Sequence, residues 1–369
     1  MPPALTDATA DASFVLSIHP SGTVVTNELA VNCDLAVGDG VAEGDAEPPR
    51  LHDVNAAATT TATVCGACRG QRCSAMARIV AGHLRWPVGS RHNRSVATRS
   101  ALTVARLGQR DARALQRLLD ADPLQNVYMR SELRHGVTGG DWWGLHDSDD
   151  LLAAVLAGSL LVPCIPRVQD ASPLAQTACA AVPPRMMVGP REAVLALHKA
   201  MIPERPARDI RDPQPMLVVD RRMPAPPRRV PVRLARMGDL DALVVAAAAM
   251  HREEMGVDPM TIDASSWRAR MESLVERGWS WVWMERGEVL FKAELSAWMP
   301  DAVQIQGVYT HPARRGEGVA TAGLAALCSM LFTEVPACTL YVNHYNARAL
   351  RLYQRLGFRH AGDFATVIY

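Results

Sequence analysis

The sequence predicts an α/β protein built from two similar halves, and three observations support this fold class. First, short apolar stretches that suit β-strands alternate with segments whose apolar residues recur at helical spacing. Second, the motif V/L-A-R-L/M-G-x-x-D-A occurs at 104–112 and again at 234–242, each time as a strand, a glycine turn and an Asp that starts a helix. Third, residues 302–332 read as strand, glycine-rich turn and helix. The repetition indicates a duplicated fold, with chance similarity in an Ala- and Arg-rich sequence as the alternative.

Composition excludes several classes of function. Hydrophobic residues make up 49% of the 369-residue chain and charged residues 21%, the balance of a globular protein. Lys and Arg number 39 against 38 Asp and Glu, so the positive surplus of a general nucleic-acid binder is missing. The chain has no apolar run of membrane-spanning length, and its first residues do not read as a secretory signal. We expect a soluble, cytoplasmic protein that binds neither nucleic acid nor membrane.

Cysteine usage indicates neither a disulfide framework nor a metal site. The chain has eight cysteines, and Cys65, Cys68 and Cys73 lie close together without a fourth ligand at a common zinc-binding spacing. A chance cluster is the simpler interpretation, so no metal is expected. Four others stand in apolar surroundings and are predicted to be small core residues: Cys164, Cys179, Cys328 and Cys338.

Composition also predicts three parts of the chain. Residues 1–100 are rich in Ala, Thr, Gly and Asp and show little periodicity, which predicts a disordered, low-complexity tail without function. A middle domain covers 101–222. Four prolines within 220–231 predict a stiff linker, and the C-terminal domain covers 229–369.

The middle domain reads as α/β. Strands are predicted at 151–156, 160–164 and 216–220, and a helix at 191–201. This part of the sequence has no obvious phosphate loop or catalytic cluster.

The C-terminal domain carries the first chemically informative motif. Residues 302–310 alternate like a strand, 311–318 form a turn with Gly316 and Gly318, and 319–332 read as a helix. Glycines before a helix let a phosphate approach the free N–H groups of its first turn. Both the P-loop lysine and the third glycine of a dinucleotide-binding motif are missing, so neither of those classes fits.

A second motif follows within forty residues. A strand is predicted at 338–343, and the helix after it ends at a glycine, as helices often do. The pattern L-x-V-x-x-x-N-x-x-A-x-x-L-Y-x-x-x-G-F is carried by Leu340, Val342, Asn346, Ala349, Leu352, Tyr353, Gly357 and Phe358.

Together, in this order and at this spacing, the two motifs resemble those of the GNAT superfamily of acyl-CoA-dependent N-acyltransferases. The resemblance covers 229–369. The middle domain is similar to GNAT-like domains that precede such catalytic domains, notably in actinobacterial tandem proteins. The resemblance implies two tandem GNAT folds, each a mixed central sheet flanked by helices, with acetyl-CoA as co-substrate and no metal.

The resemblance also implies roles for individual residues. Backbone amides of the loop hold the CoA pyrophosphate, the preceding strand binds the pantetheine arm through its main chain, and an asparagine contacts the cofactor. The implied cofactor-binding residues are Val308, Tyr309, Thr310, Arg314, Arg315, Gly316, Glu317, Gly318, Val319, Ala320, Asn343 and Asn346. Tyr353 would protonate the departing thiolate.

The sequence departs from the family pattern at two positions. Ala313 stands where the acyl-CoA loop usually begins with Gln or Arg, and Gln304 stands where many members carry a glutamate base. Glutamine accepts no proton at neutral pH, so Glu294 on the preceding strand becomes the candidate base. Pairing of Glu294 with Lys292 or with an arginine is the alternative interpretation.

Other candidates have structural alternatives too. Asn346 also suits a helix N-cap, and Tyr353 lies on an apolar stripe and also suits the core. Glu253 and Glu254 could border an acceptor groove, but a solvated helix face is the favoured interpretation.

The predicted reaction is transfer of an acetyl group from acetyl-CoA to a primary amine by direct attack in a ternary complex. No Cys or Ser stands in the setting of a nucleophile. Two alternatives stay open, a non-catalytic acyl-CoA sensor, suggested by Gln304, and a transferase of larger acyl or aminoacyl groups. The acceptor is a small molecule or a protein, and the protein is expected to be a monomer or a homodimer.

Overall fold

The computed structural model describes residues 102–137, 141–201 and 205–369. The predicted tail and its cysteine cluster lie outside these residues. The N-terminal half contains the following elements: β1 (Leu102–Arg106), α1 (Ala112–Asp120), α2 (Val127–Leu133), β2 (Asp141–Asp147), β3 (Asp150–Ala157), β4 (Leu160–Cys164), α3 (Ala171–Leu174), β5 (Met186–Pro190), α4 (Arg191–Met201) and β6 (Asp209–Asp220).

The C-terminal half repeats this order of strands and helices. Its elements are β7 (Arg233–Leu234), α5 (Leu240–Met255), α6 (Pro259–Glu276), β8 (Ser280–Glu285), β9 (Glu288–Trp298), β10 (Val303–Thr310), α7 (Val319–Leu331), β11 (Ala337–Tyr341), α8 (Ala347–Arg355) and β12 (Arg359–Ile368). The prediction of two similar α/β halves is confirmed.

All twelve strands belong to one sheet, in the order β1-β2-β3-β4-β5-β12-β6-β11-β10-β9-β8-β7. Each strand of the N-terminal half corresponds to one of the C-terminal half, from β1 and β7 to β6 and β12. With this correspondence, the strand order is symmetric about the central pair of β12 and β6. The two parallel pairs, β4 with β5 and β10 with β11, are counterparts as well, and the other neighbours are antiparallel. The sheet therefore has the internal symmetry that the repeated motif predicts.

The two halves exchange their last strands. β12 pairs with β5 of the N-terminal half, β6 pairs with β11 of the C-terminal half, and β6 and β12 pair with each other at the centre of the sheet. The segment predicted as a linker therefore joins halves whose sheets are continuous. Each half completes the hydrogen bonding of the other, because an exchanged strand covers an edge that would otherwise be unpaired.

The repeated motif builds the same helix start in both halves. The side chain of Asp111 accepts a hydrogen bond from the backbone N–H of Gly108 at 2.8 Å, and that of Asp239 accepts one from Arg236 at 2.8 Å. Each carboxylate closes a short 3₁₀ turn just before α1 or α5, where a negative charge is favourable.

Apolar side chains fill both faces of the sheet. One core lies between the C-terminal sheet and α7, where Gly323 fits against Phe291: an added Cβ would approach the ring within 2.7 Å. The four cysteines predicted to be core residues are buried and free, which confirms that prediction. Among the described residues, no helix combines the length and the apolar character needed to cross a membrane.

Candidate active site

The parallel strands β10 and β11 separate after two residue pairs. Val303 pairs with Cys338 and Gln304 with Thr339, whereas β10 continues to Thr310 without further pairing to β11. We call the gap between the two strands beyond these pairs the wedge. Unpaired backbone at a wedge is available to a ligand, since buried peptide groups require hydrogen-bond partners.

A β-bulge bends β10 beside the wedge. Gln306 pairs with Glu294 and Tyr309 with Lys292, so two residues of β10 lie opposite one residue of β9. One of the two is Gly307, whose φ of 60° favours glycine. Val308, the other, is half-buried.

The end of β10 leads into the glycine-rich turn. Gly316 and Gly318 have φ of 89° and 76°, and a Cβ added at either position would meet no atom within 4 Å. Gly318 is the N-cap of α7, whose first N–H groups have no partner within the helix. The space beside the turn is therefore open, and the positive end of a 13-residue helix points toward it.

Two arginines of the turn are held by carboxylates. The Arg314 side chain contacts Glu285 and Glu317, the latter at 2.8 Å between Nε and Oε2. Nη2 of Arg315 donates to both carboxylate oxygens of Glu253, at 2.9 and 2.8 Å. These contacts fix both guanidinium groups next to the open turn.

Thr310 and its neighbours in β10 and α7 make contacts within the protein. The Thr310 carbonyl accepts a hydrogen bond from Nε of Arg315 at 3.1 Å. Tyr309 packs into a cluster with α5 and has the Arg315 guanidinium 6.0 Å from its ring centroid, whereas Val319 belongs to the core under α7. Ala320 is half-buried in the first turn of α7.

Tyr353 lies on α8 and is buried against Phe358, with ring centroids 5.5 Å apart. Burial raises the pKa of its phenol well above the usual value, and the nearby Glu254 carboxylate and Cys328 add to this. Among the described residues, no side chain or backbone group is hydrogen-bonded to the phenol oxygen. The group therefore keeps its proton at neutral pH and has no competing partner among the residues that the structure describes.

Glu254 lies in the last turn of α5. Although the residue is exposed, protein atoms around its carboxyl remove part of its hydration and raise its pKa. Lys292 and Arg211 lower this pKa, whereas Glu294 and Glu253 raise it. Glu254 is exposed, in keeping with the favoured prediction of a solvated helix face, and it also interacts electrostatically with Tyr353 and with β9. No local sequence signal distinguishes it from Glu253.

Lys292 and Glu294 form a buried ion pair on β9. The Nζ atom lies 2.5 Å from Oε1 of Glu294 and donates to the Gly307 carbonyl at 3.2 Å. Both side chains are almost fully buried. The pair that the sequence offered as the alternative is present, and it lies directly behind the bulge.

Three amide side chains take part in local structure. Asn346 is the N-cap of α8, where Oδ1 accepts from the Ala349 N–H at 3.1 Å. Oδ1 of Asn343 accepts from Nε2 of Gln214 on β6 at 2.7 Å. Gln304 is buried, and its Oε1 accepts from Ser296 Oγ at 2.9 Å. Gln304 therefore contributes to sheet structure.

Replacing Gly307 with alanine is expected to lower the free energy of unfolding by about 1–3 kcal/mol. The φ of 60° disfavours a side chain, and the added Cβ would lie 3.1 Å from Lys292 Nζ and from the Glu294 carboxyl. Thermal denaturation measures the effect. Gly238→Ala is the matched control, because its Cβ would meet nothing within 4 Å. A Gly307→Ala protein as stable as the control would contradict the bulge.

The diverging parallel strands, the open glycine turn and the following helix define the class of fold as that of the GNAT acyltransferases. Residues 249–358 match the model of the acetyltransferase (GNAT) family, and residues 140–243 match that of a domain of unknown function, DUF4081. The C-terminal half thus contains a segment, 249–358, that matches the GNAT family. Acyl transfer is the class of reaction that this match supports.

One solved structure shows the same fold across both halves, and others are similar to this chain. A Drosophila protein superposes with a TM-score of 0.51 at 12% identity, over 72% of this chain and 98% of its own. Two others are a GCN5-related N-acetyltransferase from Sphaerobacter thermophilus (TM-score 0.49, 18% identity, 74% and 96% coverage) and a tandem GNAT protein from the clavulanic acid biosynthesis pathway (0.45, 15%, 72% and 98%). The comparison with curated proteins finds no match.

Proposed function

We propose that the protein transfers an acetyl group from acetyl-CoA to a primary amine in a ternary complex. The observation that carries the proposal is the wedge between β10 and β11, which leads directly to the open turn at the N-terminus of α7. The pantetheine arm would bind the backbone of Val308 and Thr310, and the pyrophosphate would bind the amides of residues 315–320. Helix N-termini bind phosphate in this way.

In this proposal, Glu254 is the base and Tyr353 is the acid. An alkyl amine with a pKa of about 10.4 is neutral in only about one molecule in 10³ at pH 7, so the site must remove a proton. Glu254 has the raised pKa suited to this task, and Tyr353 keeps the proton that the leaving group needs. Glu254 removes one proton from the ammonium group and releases it to solvent, and the neutral nitrogen attacks the thioester carbon. The C–S bond breaks, the second amine proton passes to Glu254, and the phenol proton of Tyr353 passes to the thiolate. Transfer of the proton on Glu254 then restores the phenol.

The first experiment measures thiol release from acetyl-CoA with tyramine, spermidine, amino-acid amides and a lysine-containing peptide as acceptors. Turnover with at least one amine is expected. Tight CoA binding without turnover would favour the sensor alternative. Turnover only with longer acyl-CoA thioesters would favour the transferase of larger groups.

The base is tested by comparing Glu254→Gln with Glu294→Gln. We expect Glu254→Gln to lower kcat/KM about 10²–10⁴-fold and to remove the rise of the rate with pH that reports the base. Glu294→Gln leaves the buried Lys292 ammonium unpaired, so we expect its main effect to be lower stability, by about 3–5 kcal/mol. If Glu294→Gln removes that rise and Glu254→Gln does not, Glu294 is the base.

A further inference from the structure

The N-terminal half reaches the C-terminal site through Arg211. This residue is on β6, and its side chain is only 13% exposed. Its Nη2 donates to the backbone carbonyl of Glu254 at 2.9 Å and contacts Sδ of Met255 at 3.1 Å. Its Nε donates to Oδ2 of Asp209 at 3.0 Å, which fixes the guanidinium.

This contact lies at the C-terminal end of α5. The last carbonyls of a helix have no partner within it, and they form the negative end of the helix dipole. A negative pole beside the Glu254 carboxylate favours its protonated form. A guanidinium bonded to the Glu254 carbonyl compensates that pole and holds the last turn in place.

We propose that Arg211, supplied by the N-terminal half, is a positioning residue of the acyl-transfer site. It fixes the last turn of α5 through the Glu254 carbonyl and favours the ionised form of the Glu254 carboxylate. The inference rests on the proposed function, in which Glu254 is the base. It assigns the N-terminal half a part in the chemistry of the C-terminal domain.

Other charged groups also affect the pKa of Glu254 and are present in every variant of the test below. The titratable and charged groups that interact with it come from α5, α8, β6, β9 and β11, and they are Glu253, Tyr353, Arg211, Lys292, Glu294 and Tyr341. Two of these groups are cations, Lys292 and Arg211. Of the two, Arg211 belongs to the N-terminal half and donates a hydrogen bond to the backbone carbonyl of Glu254.

The test compares the full-length wild type with Arg211→Met, Arg211→Lys and Arg359→Met. The probe is acetyl-CoA with the amine that reacts best in the panel, and the readout is the pH profile of kcat/KM. Arg359→Met is the matched control, because Arg359 forms an ion pair with Asp220 at the other end of β6, at 2.9 Å. The ionisation of the amine is common to all four proteins.

For Arg211→Met, we expect the midpoint of the rise attributed to Glu254 to move upward by about 0.5–1 pH unit. At pH values below that midpoint, kcat/KM falls by up to about 10-fold, and it recovers at high pH. Arg211→Lys retains the charge and moves the midpoint less, and Arg359→Met does not move it. If Arg211→Met does not fold, the smaller shift of the midpoint in Arg211→Lys is measured instead.

A purely structural role predicts a different result. Loss of thermal stability with an unshifted midpoint, or a loss of rate that is equal at all pH values, overturns the inference. If the wild type acetylates no amine, the proposed function fails separately. The titration of Glu254 is then followed by ¹³C NMR of glutamate-labelled protein, with the resonance assigned by its loss in Glu254→Gln. An equal titration midpoint in wild type and the Arg211 variants overturns the inference there too.

Discussion

Replacing Tyr353 with phenylalanine is expected to lower kcat about 10²–10⁴-fold, the range that a general acid contributes. The ring and its contact with Phe358 are retained, so the core stays packed. Among the described residues, no partner is hydrogen-bonded to the phenol oxygen, so its removal leaves no protein group unsatisfied. CoA affinity is expected to stay near that of the wild type. Steady-state kinetics and calorimetric CoA titration measure the two quantities.

The exposed Tyr345 offers a matched control for this prediction. Tyr345→Phe makes the same chemical change next to α8 but away from the core, and we expect it to leave kcat unchanged. If Tyr353→Phe works at full rate, Tyr353 is a core residue and the proposed proton transfer is wrong, while the fold and the cofactor site stand.

The second large effect is expected for Gly318→Asp, which should weaken CoA binding about 100-fold or more. The new carboxylate would lie at the N-cap of α7, where the pyrophosphate is proposed to bind. Two like charges about 4 Å apart near a protein surface repel by roughly 4 kcal/mol. Calorimetric titration with CoA measures the loss.

Gly318→Asn separates charge from backbone strain. Asparagine has nearly the shape of aspartate, and both tolerate the left-handed conformation of this position. We expect Gly318→Asn to weaken CoA binding by about 10-fold or less. Equal dissociation constants for the two variants would show that no anion binds at this turn.

Local pattern determined much of this protein. The apolar runs and helical spacing predicted β4 as Leu160–Cys164 and α4 as Arg191–Met201 with the bounds that the structure has. They also predicted the strand, turn and helix of the glycine motif to within a residue or two. The repeated opening motif predicted the duplication. These features follow from short-range backbone preferences, and neighbouring residues carry them.

Strand pairing was decided only by the tertiary structure. The sequence predicted the last strand of the middle domain, but periodicity shows which face of a strand is apolar and not which edge it pairs with. No local sequence signal therefore indicated the exchange of β6 and β12. Because of this exchange, the strands of the two halves form one continuous sheet.

Some residues of the candidate site were recognisable from the sequence, and others were brought together only by the tertiary structure. The glycine turn and Tyr353 were recognisable because their spacing along the chain is constrained by one turn and one helix. Glu254 and Arg211 come from α5 and β6, which are adjacent only after the strand exchange. The raised pKa of Glu254 arises from protein atoms and charges packed around it from several elements. Sequence thus predicted where the glycine turn lies, whereas packing between the halves brought Arg211 to the backbone of Glu254, the proposed base.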